Sequence, residues 1–210
     1  REVPGDAPRL PAEELLGVIP SGSKKPYDVR EILARIADGS KFMDFKNEFD
    51  DQTVCGTIRI EGHAVGIIGN NGPITSAGSA KAAQFIQLCD QAGTPLLFLH
   101  NTTGFMVGTH SEQNGIIKHG SKMIQAVTNA TVPQFTIYCG ASFGAGNYGM
   151  CGRGFQPRFC FSWPNAKTAV MGGEQAAGTM EVVQRTRAER TGQPVDDAQM
   201  QTMKNKIVET

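Results

Sequence analysis

The stretch of this 210-residue chain where chemistry is expected is rich in small residues and poor in acid–base side chains. Cys139-Gly-Ala-Ser-Phe-Gly-Ala-Gly-Asn-Tyr-Gly-Met150 contains no carboxylate, lysine, arginine or histidine, and its glycines suit close backbone approach to something else. Residues 132–138 before it are rich in β-branched and aromatic side chains and read as a buried strand, whereas residues 140–149 are too small to fill a core. A strand that hands over to a helix leaves the N–H groups of the first helical turn unpaired. Together with the positive end of the helix dipole, they converge on any oxyanion placed there. An enolate, a ureido oxygen and a phosphate all satisfy that geometry.

Other chemistries fit less well. Gly144-Ala-Gly-Asn-Tyr-Gly149 matches GxGxxG, but a dinucleotide fold wants an acidic residue about 20 positions on to hold the ribose. No Asp or Glu lies between Gly149 and Gly173, and Glu174 opens what reads as a helix. A Gly-rich helix packed closely on a sheet with no ligand is the plainer alternative. Ser142 is not in a GxSxG elbow, which argues against a serine hydrolase. His63, His100 and His110 have no carboxylate or Cys at ligand spacing, so no metal is expected. Lys118 and His119 share a helical stretch with Ile116 and Met123; they read as a solvated edge, with a phosphate-binding or acid–base role as the sharper alternative.

The elements that must position this turn follow from periodicity. Residues 1–26 hold five prolines and read as an arm or linker, and residues 27–210 as one domain. Asp28 and Glu31 resemble a capping box ahead of an apolar stripe at Val29, Ile32, Leu33 and Ile36. Residues 53–60 and 63–70 alternate and are joined by Glu61-Gly62, a hairpin signal. Residues 42–49 are ambiguous. A helix up to Gly93, a strand at 95–100, the loop 101–108 and a helix carrying Ile116, Gly120, Met123, Ile124 and Val127 then precede the central strand. A strand pair at 158–163 and 167–171 and two helices, 174–190 and 196–209, complete the chain, with Gly192 and Pro194 ending the first helix. Such alternation builds a mostly parallel α/β sheet whose ligands lie at the C-terminal strand ends. The loops 101–108 and 140–149 are therefore expected to face each other across one crevice.

Composition bounds the partners. Twenty Lys+Arg against twenty Asp+Glu give a formal charge of zero, and no long basic run occurs, so nucleic acid and anionic membrane are poor partners. Five widely spaced cysteines without a CxxC read as reduced packing thiols of an intracellular protein. No apolar run approaches the roughly 18 residues of a membrane span, and no secretory signal is read. A chain that opens on Arg1 is expected to be a piece of something longer.

Four motifs in register carry a family resemblance. They are His100-Asn-Thr-Thr-Gly-Phe-Met-Val-Gly108, Gly115-Ile-Ile-Lys-His-Gly-Ser-Lys122, Gly144-Ala-Gly-Asn-Tyr-Gly-Met-Cys-Gly-Arg153, and Trp163-Pro-Asn-Ala with Val170-Met-Gly-Gly-Glu-Gln-Ala-Ala177. The chain resembles the C-terminal half of the carboxyltransferase β subunit of biotin-dependent acyl-CoA carboxylases, most of all the methylcrotonyl-CoA and geranyl-CoA branch. The resemblance implies a crotonase-like fold of repeated ββα units and a missing N-terminal carboxyltransferase domain that holds most of the acyl-CoA. It also implies a biotin carboxylase or biotin carrier partner that delivers carboxybiotin, a CoA thioester as substrate, and a homo-oligomer in the intact protein. The compartment implied is the bacterial cytoplasm or the mitochondrial matrix. The carboxyl group passes from carboxybiotin to an enolate or dienolate of the acyl-CoA, and the protein's task is to stabilise oxyanions. By the family pattern, the N–H groups of Ala145 and Gly146 hold the biotin oxygen, with Gly104, Phe105 and Gly144 lining the cofactor's side. Tyr148 and Phe143 are assigned to the acyl pocket, against the plainer reading of Tyr148 as packing.

Two competing readings remain at this stage. One is a crotonase-type enoyl-CoA hydratase or isomerase, which needs a carboxylate on the crevice and has Glu112 and Glu174 as candidates. The other is a non-catalytic assembly domain.

Overall fold

Glu61 and Gly62 both adopt positive φ, 48° and 83°, and so form the kind of two-residue turn whose twist matches a right-handed hairpin. The sheet grows from that hairpin. The computed structural model describes residues 5–20, 26–192 and 196–209. In chain order, a 3-10 turn at Ala12–Glu14 leads into helix α1 (Leu15–Val18), α2 (Arg30–Ile36), and strands β1 (Met43–Asp44), β2 (Thr53–Ile60) and β3 (His63–Asn70). Then come α3 (Ser76–Gln91), β4 (Leu96–Thr102), α4 (Thr109–Gln113), α5 (Ile116–Asn129), β5 (Gln134–Phe143) and α6 (Gly144–Gly149). Strands β6 (Phe159–Ser162) and β7 (Lys167–Ala169) and helices α7 (Gly173–Thr191) and α8 (Asp197–Glu209) complete the order.

The strands lie in the order β1-β2-β3-β4-β5-β6, antiparallel from β1 to β3 and parallel from β3 to β6. Along β4 the side chains alternate. Leu96 and Phe98 join one apolar cluster with Phe85, Ile86, Met123 and Val127, while Leu97 and Leu99 join another with Ile32, Leu33 and Ile67. A strand buried on both faces is what a continuous apolar run in a parallel sheet becomes. Each fully buried side chain of this size contributes on the order of 2 kcal/mol.

Two local outcomes differ from the sequence reading. Residues 158–163 and 167–171, expected as a strand pair, give β6 and β7, which each pair with β5 instead. Pro164 breaks the run, and a turn closed by the Ala166 N–H on the Trp163 carbonyl at 3.0 Å redirects the chain. The central strand also continues through the small residues 139–143 to Phe143, because Ser142 still finds Thr102 of β4 as its register partner. The glycine turn is correspondingly shorter. Asp28 does serve the start of α2, accepting from the Arg30 N–H at 2.9 Å.

Of the Pro-rich arm, residues 1–4 and 21–25 lie outside the described residues. The described part is pinned down: the Asp6 carbonyl accepts from Gly39 at 3.1 Å, Arg35 meets Glu14 at 2.8 Å, and Leu15 and Ile19 pack on the second cluster. The chain forms two compact units, Arg1–Thr168 and Ala169–Thr210. In the second, Ala177 and Met200 are buried, Glu181 pairs with Lys204 at 2.7 Å, and Gly192 caps α7 at φ 68°. Pro194, expected to stop that helix, lies outside the described residues.

Candidate active site

Strands β4 and β5 run parallel, so the loop after one and the helix after the other emerge at the same edge of the sheet. Gly144 turns the chain into α6 with φ +53°, a conformation that a side chain would strain. Phe143 stands at the N-cap and offers no side-chain acceptor. The first-turn N–H groups of Gly144, Ala145 and Gly146 therefore have no intrahelical partner. Ala145 is exposed and Gly146 buried.

The loops 101–108 and 140–149 do not face each other across open space; they touch. A Cβ on Gly146 would come within 2.7 Å of the Gly104 Cα, so only glycine lets the two backbones meet. Gly104 is itself fixed: its carbonyl accepts from Ile74 at 2.9 Å, and the Thr102 hydroxyl lies 3.2 Å from both its N and its O. Beside this contact runs a groove of about 320 Å³ lined by Phe105, Met106, Val107, Ile116, Ile117 and Ala145, with Glu112 also on its wall. Val107 and Ile117 are 79% and 75% exposed. Phe105 is a wedge between α5 and α6, filling the space above Gly120 and Gly149.

Of the residues singled out from sequence, Gly104, Phe105, Gly144, Ala145 and Gly146 thus come together. Phe143 is buried at the end of β5. Tyr148, 51% exposed, turns its ring edge-on to Phe155 at 5.8 Å and does not line the groove. Lys118 is exposed, and His119 is half-buried. Among the described residues no group of three His, Cys, Asp or Glu is arranged to hold a metal.

The sequence reading missed a buried polar network beneath the turn. His100, fully buried on β4, places Nδ1 2.8 Å from Ser142 Oγ and Nε2 2.6 Å from the Met150 carbonyl. Asn147 Nδ2 donates to Ser142 Oγ at 2.8 Å. Tyr138 meets the His100 ring edge-on at 4.7 Å, and its hydroxyl accepts from the Arg153 N–H at 3.0 Å. Burial holds His100 well below the ordinary imidazole range, at about 4, although the Met150 carbonyl pulls the other way. One signal was available: a histidine ending an apolar strand must find partners when buried.

The site is thus a turn of backbone amides at the edge of a mixed α/β sheet, next to an apolar groove. The chain matches the carboxyl transferase domain over residues 2–210 and belongs to that family. It is 53% identical over 196 residues to a probable biotin-dependent acyl-coenzyme A carboxylase beta2 subunit of Mycobacterium tuberculosis, covering 93% of this chain and 37% of that protein. To a probable mitochondrial methylcrotonoyl-CoA carboxylase beta chain of Drosophila melanogaster it is 50% identical, covering 97% and 35%. Among solved structures, the beta subunit of P. aeruginosa geranyl-CoA carboxylase superposes with a TM-score of 0.91 at 62% identity, covering 100% of this chain and 39% of that one. The transcarboxylase 12S hexamer, with methylmalonyl-coenzyme A and methylmalonic acid bound, gives 0.79 at 35% identity over 84% and 36%. The chain spans little more than a third of the length of these relatives.

Proposed function

We propose that this chain is the carboxybiotin-side half of the carboxyltransferase subunit of a biotin-dependent acyl-CoA carboxylase. It acts with an N-terminal carboxyltransferase domain, a biotin-carrying partner subunit and further copies of itself, on an enoyl-CoA of the 3-methylcrotonyl or geranyl type. The working compartment is the bacterial cytoplasm or the mitochondrial matrix; no described helix is long and apolar enough to cross a membrane.

One observation carries this reading. The Ala145 and Gly146 N–H groups open α6 without intrahelical partners, beside an apolar groove, on a turn that has no carboxylate, histidine, lysine or arginine. A neutral ureido oxygen and a ring of mixed polarity fit such a seat, because amide donors stabilise charge as it develops without needing a counter-charge beforehand. When bound, the biotin supplies the carboxyl group and the base. The chain's own residues bind and orient: Gly104 and Gly144 set the backbone, Phe105 shapes the wall, and Ala145 and Gly146 present the donors. The apolar side chains of the groove lower the polarity beside the donors, which raises the worth of each one once a ligand covers them. Tyr148 and Phe143 belong on this reading to the acyl-chain side, which the companion domain completes.

The test is a carboxylation assay on the full-length protein with its biotin-carrying partner, comparing 3-methylcrotonyl-CoA with geranyl-CoA, run beside Ala145→Pro. Proline is tolerated in a first helical turn and deletes one N–H there. Turnover by the wild type and a loss of about 100-fold in a folded variant, roughly 3 kcal/mol at the transition state, are expected. Hydration or isomerisation of an enoyl-CoA without any carboxylation would instead favour the hydratase reading, for which Glu112 on the groove wall is the available carboxylate.

A further inference from the structure

The α6 turn has little stiffness of its own. It is six residues long with three glycines, each costing roughly 1 kcal/mol of helix propensity relative to alanine. Something outside it must set the direction of its N–H groups.

We propose that His100 is the positioning residue of this site, a neutral imidazole on β4 that clamps the α6 turn at both ends and so aims the Ala145 and Gly146 N–H groups. The inference rests on the carboxyltransferase reading of the same turn. Its geometry is complete atom by atom. The Met150 carbonyl can only accept, so Nε2 carries the proton and donates across 2.6 Å. Full burial among uncharged groups disfavours the imidazolium, so Nδ1 is an acceptor and takes the Ser142 O–H at 2.8 Å. Ser142 Oγ, its proton committed, accepts from Asn147 Nδ2 at 2.8 Å. Ser142 precedes the turn by two residues, Asn147 lies within it, and Met150 follows it directly. One ring therefore fixes the turn at entry and exit, and reaches its middle through Ser142.

The ring is in turn held by the sheet. His100 pairs in register with Tyr138, whose ring packs edge-on against it, and the His100 carbonyl accepts from Cys139 Sγ at 3.1 Å. The strand that carries His100 leads on to Gly104, the residue whose backbone touches Gly146. The clamp lies on β4 and the contact two residues past its end, so a shift of the turn against Gly104 strains its bonds to His100.

The experiment uses the full-length protein with its biotin-carrying partner and two variants. His100→Gln keeps an acceptor for Ser142 and a donor for Met150; His100→Leu fills similar space and keeps neither. Expected for the leucine variant is a fall in kcat of about 100-fold, the scale of an Å-level misplacement, with the KM for the CoA thioester within about twofold. The glutamine variant should return to within about threefold of the wild-type kcat. Hydrogen–deuterium exchange provides a readout free of turnover, through the amides of Met150, Cys151 and Gly152, which bond back to Gly146, Tyr148 and Asn147. These should exchange about tenfold faster in the leucine variant and at the wild-type rate in the glutamine variant. If leucine leaves both kcat and exchange unchanged, or if glutamine fails as badly as leucine, His100 is not the clamp. Should the leucine variant not fold, Ser142→Ala cuts only the Nδ1 end, and wild-type kcat and exchange in that variant would equally overturn the proposal. A wild type that carboxylates nothing while the exchange pattern holds would refute the carboxyltransferase reading and leave the clamp standing.

Discussion

Replacing Gly146 by alanine tests the contact on which the site depends. The added Cβ would stand 2.7 Å from the Gly104 Cα, and 3.3 Å from both the Gly104 carbonyl carbon and Thr102 Cγ2. Carbon atoms pack best at about 3.5–4.0 Å, so the two backbones must part by roughly 1 Å. Gly104 cannot yield freely, because its carbonyl bonds Ile74 and the Thr102 hydroxyl braces it. The strain falls on the α6 turn, tilting the Ala145 and Gly146 N–H groups. The variant should be destabilised by no more than about 3 kcal/mol: overpacking costs about 1–3 kcal/mol, and the gain in helix propensity from Gly to Ala offsets up to about 1 kcal/mol. In the protein that remains folded, turnover should fall by about 100-fold, the scale of a 1 Å misplacement. The assay compares kcat of full-length Gly146→Ala with wild type, with circular dichroism to check folding. Gly17→Ala is the control, since a Cβ there meets nothing within 4 Å. A folded Gly146→Ala enzyme whose kcat stays within about threefold of wild type would show that the contact between the two loops does not set the geometry of the site.

Two further outcomes follow from burial. His100 is held neutral with its pKa lowered from 6.5 to about 4, so the folded state favours the unprotonated ring. The stability this provides is complete above pH 6.5 and is lost as pH falls toward 4, in total ~3 kcal/mol. Urea midpoints of wild type and His100→Gln, taken across that window, should show wild type losing stability relative to the variant on acidification; parallel curves would count against the buried neutral ring. The second outcome concerns the thiols. Cys160 is exposed, whereas Cys55, Cys89, Cys139 and Cys151 are buried, and desolvation pushes Cys89 and Cys139 up to about 11 and Cys151 to about 12. Native protein treated with iodoacetamide at pH 8 should therefore take up label at Cys160 alone, and the other four should react only after unfolding. Equal labelling of Cys151 would contradict the packing around the site.

How far the sequence revealed the fold depended on the range of the interaction. Glu61-Gly62 declared the hairpin because a two-residue turn is decided by the φ values its own residues tolerate. Leu96, Leu97, Phe98 and Leu99 declared a doubly buried strand because the unbroken apolar run is too short for a buried helix and is preceded by Gly93 and Pro95. The partners of residues 158–163 and 167–171 were not legible, because adjacency in sequence favours a hairpin while Pro164 and the turn after Trp163 send both strands to β5. Pairing of that kind is settled by segments far apart in the chain.

The site divides along the same line. Its donors belong to the backbone, so sequence reveals them only through the residues that let backbones approach: Gly144 for its positive φ, Gly104 and Gly146 for their contact. The close approach at 140–149 was readable because a run of glycines after a buried strand suits it, whereas Gly104 was singled out only through the family resemblance. What aims the donors was not readable. His100 lies 42 residues from Ser142 and 50 from Met150, and each looks ordinary in its own neighbourhood. Ser142 read as a failed nucleophile and His100 as a failed ligand because each was tested for chemistry of its own. A site that works through amide groups gives its side chains a different task, holding the backbone still. The polar residues to look for beneath such a turn are therefore the buried ones, which bond main-chain carbonyls and one another and never meet the substrate.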